Sequence, residues 1–370
     1  MRVRAILIRA IGFTSLLCLP VALFADAPDL PTIDGPEADG LVKELKGLLV
    51  YPKPVGGILA TVLPSLEQKT IRAPGKHPAV SNLSGPDRSG RIAVIESPPR
   101  KKAVLRVVRV GSSKAKTVLR RPGGSFRSRA LGRPVLSPED GYVAFVSKTR
   151  SLTMKVEPKT HFHEGKLEVW QVDERRPLKI ERKAIDRSLA WLPDEKFVLY
   201  SALVGPDTLP KDLIDEYSRA TGSGLIPVVD RRTPVVHQLE LSGAKAIPLC
   251  IGRRSVVSQD GKVILVQGIG FEWLLYDVTT RRLKPAKLPG LYDRDRMGIY
   301  QGGAIALLGS DLVIYWGLPT TGTAQRTTKN NSPLVGAKTM PSIKVARLSS
   351  GEFQTVIPFM DPRRAVLFGE

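Results

Sequence analysis

One short segment of the sequence has the residue types of a metal site. His161, His163 and Glu164 lie within four positions of one another. Side chains alternate along an extended segment, so His161 and His163 would point the same way and could share a divalent cation. A polar loop with two exposed imidazole rings explains the same residues, because further ligands are not visible in the sequence. We therefore expect no cofactor and keep a divalent metal at His161, His163 and Glu164 as an alternative.

Positive charge is concentrated in residues 97–138. This stretch contains twelve Lys or Arg residues and no Asp or Glu. A field of one sign attracts polyanions and anionic membrane surfaces, so the stretch is a candidate contact surface. The same residues could instead keep the outer strands of a sheet in solution and deter edge pairing. The candidate anion- or partner-binding residues are Arg100, Lys101, Lys102, Arg106, Arg109, Arg120, Arg121, Arg127 and Arg129.

The first 27 residues have the pattern of a secretory signal peptide. Three arginines within the first nine residues precede an apolar run, and Ala25 and Ala27 fit a small-residue cleavage site. The run is short for a membrane span and Pro20 would interrupt a helix, so we expect cleavage rather than an uncleaved anchor. Cleavage leaves Cys250 as the single cysteine, and the mature monomer then has no internal disulfide. The expected location is the periplasm or the exterior of the cell.

The partner of so basic a protein should be anionic. The chain has 370 residues and a formal net charge of +21. Nucleic acid is not expected, because Phe126 is the only aromatic residue of the basic stretch that could stack on a base, and because the protein is exported. An envelope protein or an anionic glycan fits better. We expect a monomer with no transmembrane span after signal cleavage.

A pair of strands recurs six times along the chain. Each copy has an alternating apolar run, a short polar turn and a second, more basic run, as in residues 104–110 and 116–119. This pattern predicts a β-hairpin. The six turns are expected near Pro64, Gly111, Asp173, Ser242, Thr279 and Ser349.

A second pattern lies between these hairpins and completes a four-stranded unit. Residues 136–147 hold a short strand, a tight Asp/Gly turn and an apolar strand, and residues 191–200, 257–266 and 87–95 repeat it. Four strands in every 40 to 60 residues are typical of a β-propeller blade. The run from Ser137 to Phe145, Ser-Pro-Glu-Asp-Gly-Tyr-Val-Ala-Phe, resembles the repeat of TolB-like, WD-repeat-like bacterial β-propellers.

The resemblance covers roughly residue 46 to the end and implies a fold rather than a chemistry. The separate N-terminal α/β domain of TolB and the hydrolase domain of prolyl oligopeptidases are not expected here, so their functions do not carry over. Residues 359–368 predict a turn and an inner strand, whereas the first copy starts with its outer hairpin. The two ends should therefore share one blade, which leaves no open edge in the ring. We expect an all-β propeller of six four-stranded antiparallel blades, with seven as the alternative.

The predicted organisation has three parts. Residues 1–27 are the signal peptide, residues 28–45 a linker and residues 46–370 the propeller domain. Three insertions, at 148–166, 202–234 and 317–341, are too long for hairpin loops and should all leave the same face of the disc. Insertions on one face often build a binding surface.

The sequence favours a binding or scaffolding module of the envelope over an enzyme. It contains neither a G-x-S-x-G elbow nor a Walker loop. The alternative is a secreted hydrolase or lyase acting on an anionic carbohydrate or a lactone, because propeller enzymes assemble their sites from several blades. An enzyme should gather His, Tyr and carboxylates at the channel entrance, whereas a scaffold should present a broad patch without them.

Overall fold

The computed structural model describes residues 40–45, 47–52, 57–72, 80–86, 90–96, 102–109, 115–121, 131–139, 141–153, 161–224, 228, 231–242, 245–268, 272–286, 288, 303–317, 342–357 and 366–368. These residues form six antiparallel sheets arranged as the blades of a propeller. The sequence prediction of six blades is confirmed.

The strands follow one another from the inside of each blade to the outside. Blade 1 contains β1 (Gly47–Pro52), β2 (Ile58–Leu63) and β3 (Gln68–Arg72). Blade 2 contains β4 (Val80–Pro86), β5 (Arg91–Glu96), β6 (Ala103–Arg109) and β7 (Ala115–Arg121). Blade 3 contains β8 (Val135–Leu136), β9 (Tyr142–Thr153), β10 (His161–Gln171) and an outer strand divided into β11 (Arg176–Pro177) and β12 (Lys183–Ile185).

The second half of the ring repeats this order. Blade 4 contains β13 (Ala190–Trp191), β14 (Phe197–Val204), β15 (Thr233–Glu240) and β16 (Ala246–Ile251). Blade 5 contains β17 (Arg254–Val257), β18 (Val263–Gln267), β19 (Trp273–Asp277) and β20 (Arg282–Pro285). Blade 6 contains β21 (Gly303–Leu308), β22 (Leu312–Gly317), β23 (Ser342–Arg347) and β24 (Phe353–Ile357).

The last strand closes the ring. Strand β25 (Val366–Phe368) pairs antiparallel with β1, with Val366 opposite Val50 and Phe368 opposite Leu48, and becomes the inner strand of blade 1. The inner strands β25, β4, β8, β13, β17 and β21 each contact the next around the ring. The two ends of the chain share one blade, as the sequence predicted, so neither end leaves an unpaired inner edge.

The core consists of layers between neighbouring blades, and the period of two residues produces them. In β5, Ile92 and Val94 pack into the layer shared with blade 1, while Ala93 and Ile95 pack into the layer shared with blade 3. Alternate side chains of a strand point to opposite faces of its sheet, and both faces of a blade are covered. Burial of each Ile or Val side chain of this kind stabilises the fold by about 1.5–3 kcal/mol.

The Ser-Pro-Glu-Asp-Gly-Tyr run has a local role in turn formation. The Ser137 hydroxyl accepts a hydrogen bond from the backbone N–H of Tyr142 at 3.0 Å. Ser258 makes the equivalent contact with the N–H of Val263 at 3.0 Å in blade 5. The hydroxyl fixes the short turn between the first two strands of the blade, which explains why Ser and Asp/Gly residues recur at this place.

Successive connections alternate between the two faces of the disc because successive strands are antiparallel. Connections from the second to the third strand of a blade therefore lie on the same face as those from one blade to the next. The insertions at 148–166, 202–234 and 317–341 all fall at second-to-third connections. We call this side the insertion face. Of these three insertions, most of 317–341 lies outside the described residues.

The first two insertions carry regular structure. Strands β9 and β10 continue as a paired ribbon as far as Thr153 opposite His161. Residues 202–234 contain a short 3-10 helix (Pro206–Thr208) and helix α1 (Lys211–Thr221), which ends at Gly222 in the left-handed conformation with φ 67°. A second 3-10 helix in the described part of the chain, Gly40–Glu44, packs against β23 and β24. Within the described part of the chain, no helix is long and apolar enough to cross a membrane.

Candidate anion-binding sites

The basic stretch forms the two outer strands of blade 2. Of the nine candidate residues, Lys102, Arg106, Arg109, Arg120 and Arg121 lie on or beside β6 and β7. The other four lie outside the described residues: Arg100, Lys101, Arg127 and Arg129.

Two of the five described cations are held by buried carboxylates. The Arg106 Nε lies 3.1 Å from an oxygen of Glu96 on the neighbouring strand β5. The Arg121 guanidinium lies 2.9 Å from Glu168 on β10, so this ion pair joins blade 2 to blade 3. Glu168 also accepts hydrogen bonds from the Ser147 hydroxyl and the Trp170 indole N–H. The guanidinium groups of Arg106 and Arg121 therefore have structural partners.

The other three described cations are open to solvent. Lys102, Arg109 and Arg120 are exposed and have no ion-pair partner among the described residues. Lys102 precedes the start of β6 and Arg120 lies near the end of β7, so both belong to the insertion face. Arg109 ends β6 at the opposite face. These three side chains are the part of the predicted surface that an anion can reach.

The predicted metal ligands belong to the β9–β10 ribbon. His161 and His163 are two positions apart on β10, as expected for an extended segment, and the His161 side chain lies outside the described set. Glu164 is buried, and its carboxylate oxygens lie 2.8 Å from Arg150 and 3.4 Å from Arg232. Glu164 thus joins the first insertion to the second. The described residues contain no group of three or more His, Cys, Asp or Glu able to hold a metal ion.

A second group of cations lies where the chain enters three consecutive blades. Arg133 stands two residues before β8, Arg187 three residues before β13, and Arg254 begins β17. Each position follows the crossing from one blade to the next, so all three lie on the insertion face beside the inner strands. We call this group the channel-mouth arginines: Arg133, Arg187 and Arg254.

Asp186 and the backbone around it position Arg133. The N–H of Arg133 donates to the Asp186 carboxylate at 2.9 Å, and the Arg133 Nε donates to the Leu83 carbonyl of β4 at 3.4 Å. Gly132 has no side chain because a Cβ there would collide with the Asp186 carboxylate. The N–H of Asp186 in turn donates to the carbonyl of His163 at 2.6 Å. Contacts across blades 2, 3 and 4 therefore fix the Arg133 segment.

Serine hydroxyl groups form hydrogen bonds at the next two connections between blades. The Ser188 hydroxyl donates to the Ile185 carbonyl at 2.6 Å and accepts from the N–H of Ser201 at 2.9 Å. The Ser255 hydroxyl donates to the Ser188 carbonyl at 3.3 Å, which links blade 5 to blade 4. Arg187 precedes Ser188 with φ 66°, in the left-handed region that L-residues rarely occupy. The backbone under Arg187 is consequently held in a costly conformation by its neighbours.

The positive charge of Arg187 affects the pKa values of Arg133 and Arg254. Each of the three arginines is half-buried. Burial, followed by the positive charge of Arg187, lowers the pKa of Arg133 to about 10, while Asp186 acts in the opposite direction. Burial, Arg187 and Arg133 likewise lower the pKa of Arg254 to about 10. Both groups remain cationic at neutral pH, and each lies within electrostatic range of the others.

Arg253, beside Arg254, has a different environment. Its side chain is almost completely buried, and burial followed by the charge of Arg254 lowers its pKa. The carboxylate of Glu272 acts in the opposite direction on Arg253. Glu272 accepts a hydrogen bond from the Tyr217 hydroxyl of helix α1. The pKa of Arg253 thus responds to Glu272, whereas the pKa of Arg254 responds to Arg187, Arg133 and Asp186.

Solved structures share this architecture. TolB from Acinetobacter baumannii matches with a TM-score of 0.50 and 11% identity, over 87% of this chain and 65% of the TolB chain. This chain has a TolB-like propeller fold. Because it spans 65% of the TolB chain at 11% sequence identity, the likeness concerns the fold alone.

The solved structures of two enzymes also match this chain, with lower TM-scores. An oligogalacturonate lyase in complex with manganese gives a TM-score of 0.47 and 11% identity, over 82% of this chain and 74% of the lyase. A prolyl endopeptidase gives 0.40 and 15%, over 76% of this chain and 37% of the enzyme. No sequence-family model matches this chain, and no curated protein sequence matches it.

Sequence reasoning found the blades of this TolB-like propeller but missed the channel-mouth arginines as a group. Arg133 was visible only as one of twelve charges in residues 97–138, while Arg187 and Arg254 lie in later repeats. A usable signal was present, since each arginine stands at or just before an inner strand. Aligning the repeats at Ser137, Leu192 and Ser258 would have placed Arg133 and Arg254 at the same position and Arg187 one residue earlier.

Proposed function

We propose that this TolB-like propeller is an exported binding and scaffolding module for an acidic envelope protein or an anionic envelope glycan. The observation that carries the proposal is the set of exposed cations Lys102, Arg109 and Arg120, which have no ion-pair partner among the described residues. Arg100 and Lys101 precede this set in the sequence and Arg127 and Arg129 follow it, with no carboxylate between residues 97 and 138.

The local charge of these strands supports binding through electrostatics. Nearby carboxylates already neutralise Arg106, Arg121 and Lys116, the last lying 2.5 Å from Asp173. The remaining exposed cations produce a positive electrostatic field, which extends about 10 Å at 0.1 M salt. An acidic partner approaching blade 2 gains this attraction without displacing an existing ion pair.

The insertion face provides ordered loops beside the same contact surface. Lys102 and Arg120 lie at the end of blade 2 that belongs to this face. On the same face, Glu164 bridges the ribbon of blade 3 to the insertion of blade 4 through Arg150 and Arg232. Loops fixed in this way on a rigid scaffold commonly form a binding surface. The proposed contact therefore runs from the outer strands of blade 2 toward the insertions.

Capture from envelope extract tests the proposal. The mature protein, residues 28–370, should retain an anionic component at low salt and release it at raised salt. A triple variant with Lys102→Gln, Arg109→Gln and Arg120→Gln should lose that component. A matched variant with Lys179→Gln, Arg175→Gln and Arg281→Gln removes the same charge from exposed positions of other blades and should keep it. Equal retention by both triple variants would overturn the proposal.

Export is a separate part of the proposal and has its own test. It rests on the basic start, apolar run and Ala25-Asp26-Ala27 sequence of the first 27 residues. The intact mass of protein recovered from the periplasm or medium should correspond to a chain that begins at Pro28. Protein found only in the cytoplasm with Met1 retained would contradict export.

Metal analysis of the same purified sample addresses the alternative at the β9–β10 ribbon. Stoichiometric metal that disappears in a His161→Ala, His163→Ala variant would support a metal site there. Metal content that does not change in this variant would end that alternative.

A further inference from the structure

We infer that blade 2 binds a single phosphate monoester group of an envelope glycan through Lys102, Arg106 and Arg120, on the side of the blade that faces blade 1. This site deepens the proposed function and rests on it, because it specifies which chemical group of the partner the exposed cations bind. It also gives a binding role to Arg106, whose charge Glu96 offsets.

Strand alternation places the three cations on one side of blade 2. On β6, Leu105 packs into the core layer shared with blade 3, so its neighbours Val104 and Arg106 point toward blade 1. Arg120 of β7 pairs directly with Val104, and paired residues of an antiparallel sheet share a face. Lys102 lies two residues before Val104, immediately ahead of β6. The three side chains therefore start close together.

Glu96 orients the guanidinium group of Arg106. The Arg106 Nε donates to a carboxylate oxygen of Glu96 at 3.1 Å, and the Glu96 side chain is only 4% exposed. Glu96 of β5 pairs with Val104, which pairs in turn with Arg120, so these residues form one row across the sheet. The ion pair directs the Arg106 side chain toward this row. Diagonal neighbours in a sheet lie about 7–8 Å apart, so Arg106 and Arg120 can contact one ligand.

The bond to Glu96 leaves the outer edge of the Arg106 guanidinium available. Neither Nη of Arg106 has a hydrogen-bond or ion-pair partner within the described part of the chain, and the side chain is 31% exposed. Arg120 is exposed beside it. Arg121, on the other side of β7, is bound in the opposite way, because its Nη2 contacts Glu168 and its Nε is buried. Arg106 is thus anchored at Nε with its fork of Nη groups toward solvent.

The three cations match a phosphate monoester better than a carboxylate. A phosphate monoester has three terminal oxygens and a charge of about −1.5 to −2 at neutral pH. The three positive charges of Lys102, Arg106 and Arg120 minus the one negative charge of Glu96 leave +2. Two guanidinium forks and an ammonium group can donate to different oxygens of one phosphate. The acidic side chains of a protein present planar carboxylates, so the glycan is the favoured partner class.

Calorimetric titration of the mature protein, residues 28–370, with glucose 6-phosphate tests the inference. The sugar phosphate should bind with a stoichiometry of one per chain at neutral pH. Glucuronate and glucose 6-sulfate, which carry one negative charge each, should bind about tenfold more weakly or worse. Equal affinity for glucuronate would overturn the inference. Tighter binding of phosphoserine than of glucose 6-phosphate would overturn the assignment to a glycan.

Variants connect the signal to the site. Arg106→Gln and Arg120→Gln should each weaken glucose 6-phosphate binding by about tenfold or more, because each removes charged hydrogen bonds to the phosphate. Lys179→Gln, at an exposed position of blade 3, is the matched control for charge and should bind as wild type does. An affinity unaffected by Arg106→Gln and Arg120→Gln, or lowered equally by Lys179→Gln, would overturn the inference.

Arg106→Lys keeps the test decisive if Arg106→Gln fails to fold. The lysine preserves the net charge and a cation for Glu96, but it lacks the Nε anchor and the fork. Binding of glucose 6-phosphate should therefore weaken although the charge of the surface is unchanged. Wild-type affinity in Arg106→Lys would show that charge alone is responsible and would overturn the role of the oriented fork.

Phosphatase treatment of the envelope extract separates this site from the proposed function. Removal of phosphate monoesters should abolish capture of the salt-sensitive component. If treatment leaves capture unchanged while the Lys102→Gln, Arg109→Gln, Arg120→Gln variant still loses the component, the proposed function stands and the phosphate site fails. If glucose 6-phosphate binds through Arg106 and Arg120 but no salt-sensitive component is captured, the phosphate site stands and the scaffolding role fails.

Discussion

The outer strands of blade 2 and the mouth of the channel both collect arginines, but folding treats their charges in opposite ways. The outer strands start as a run of positive residues in the sequence, and folding brings Glu96, Glu168 and Asp173 to them. The channel-mouth arginines are far apart in the sequence, and folding brings them near one another. Among the described residues, Asp186 is the carboxylate that affects them. Folding therefore neutralises part of the positive charge of the outer strands, whereas it concentrates positive charge at the channel mouth.

The arginines of the two regions should therefore affect the stability of the fold differently. Arg121 compensates a buried carboxylate and joins two blades, so its charge contributes to stability. Arg254 lies near other cations, and burial and those cations disfavour its charged form. Removing a charge should therefore have opposite effects on the stability of the two regions.

The largest expected effect is at the neutralised region. Arg121→Gln should lower the free energy of unfolding by about 3 kcal/mol, because it leaves the charge of Glu168 buried without its cation. Denaturant unfolding measures the change. Arg120→Gln, at the exposed neighbouring position, is the control. The double variant Arg121→Gln, Glu168→Gln should recover part of the lost stability. If Arg121→Gln leaves the free energy of unfolding unchanged, the charge of Arg121 does not support the fold.

The next effect extends the comparison to another neutralised carboxylate. Glu216 of α1 accepts hydrogen bonds from Arg219 at 2.5 Å, Arg282 at 3.1 Å and the N–H of Leu283 at 2.6 Å. The hydrogen bond from Arg219 is the largest cause that lowers the pKa of Glu216 from 4.5 to about 2. Glu216→Gln should lower the free energy of unfolding at neutral pH by about 2 kcal/mol.

The pH dependence of that loss fixes its origin. A lowered pKa means that the folded protein binds the proton less tightly than the unfolded chain. The stabilisation by Glu216 is therefore complete above about pH 4.5 and is lost as the pH falls toward about 2. Wild type and Glu216→Gln should converge in thermal stability over this range. A difference that stays constant down to pH 3 would show that packing, and not charge, is responsible.

A smaller effect of opposite sign is expected at the channel mouth. Arg254→Gln should raise the free energy of unfolding of the unliganded protein by about 1 kcal/mol, because it removes a charge that burial and two arginines disfavour. Thermal unfolding without phosphate or other dianions measures the change. If Arg254→Gln instead destabilises the protein as much as Arg121→Gln does, the contrast between the two regions fails.

The smallest effect is expected at an exposed cation of blade 2. Arg109→Gln should change the free energy of unfolding by less than about 0.5 kcal/mol, because the side chain is exposed and has no described ion-pair partner. Chemical denaturation beside wild type provides the measurement. A loss above about 1 kcal/mol would indicate that Arg109 supports the fold and should be removed from the proposed contact surface.

The propeller could be predicted because its instructions are local. Alternation such as Ile92 to Ile95 marks a strand covered on both faces, and the Ser137 turn recurs with the same spacing at Ser258. Helix α1 was also foreseeable from its early Pro210 and its terminal Gly222. The inner strand of blade 6, β21, was not predicted, although Gly309-Ser310-Asp311 forms the turn between it and β22.

The sequence alone determined the strand pattern, the shared blade at the two ends and the excess of positive charge. These features depend on residue order, which fixes alternation, turns and composition. The tertiary structure decided which charges are neutralised, as for Arg121 by Glu168, and which are gathered, as for Arg187 and Arg254. The physical reason is that electrostatic energy depends on distance through space. In a propeller the radial convergence of the blades, rather than spacing along the chain, sets that distance.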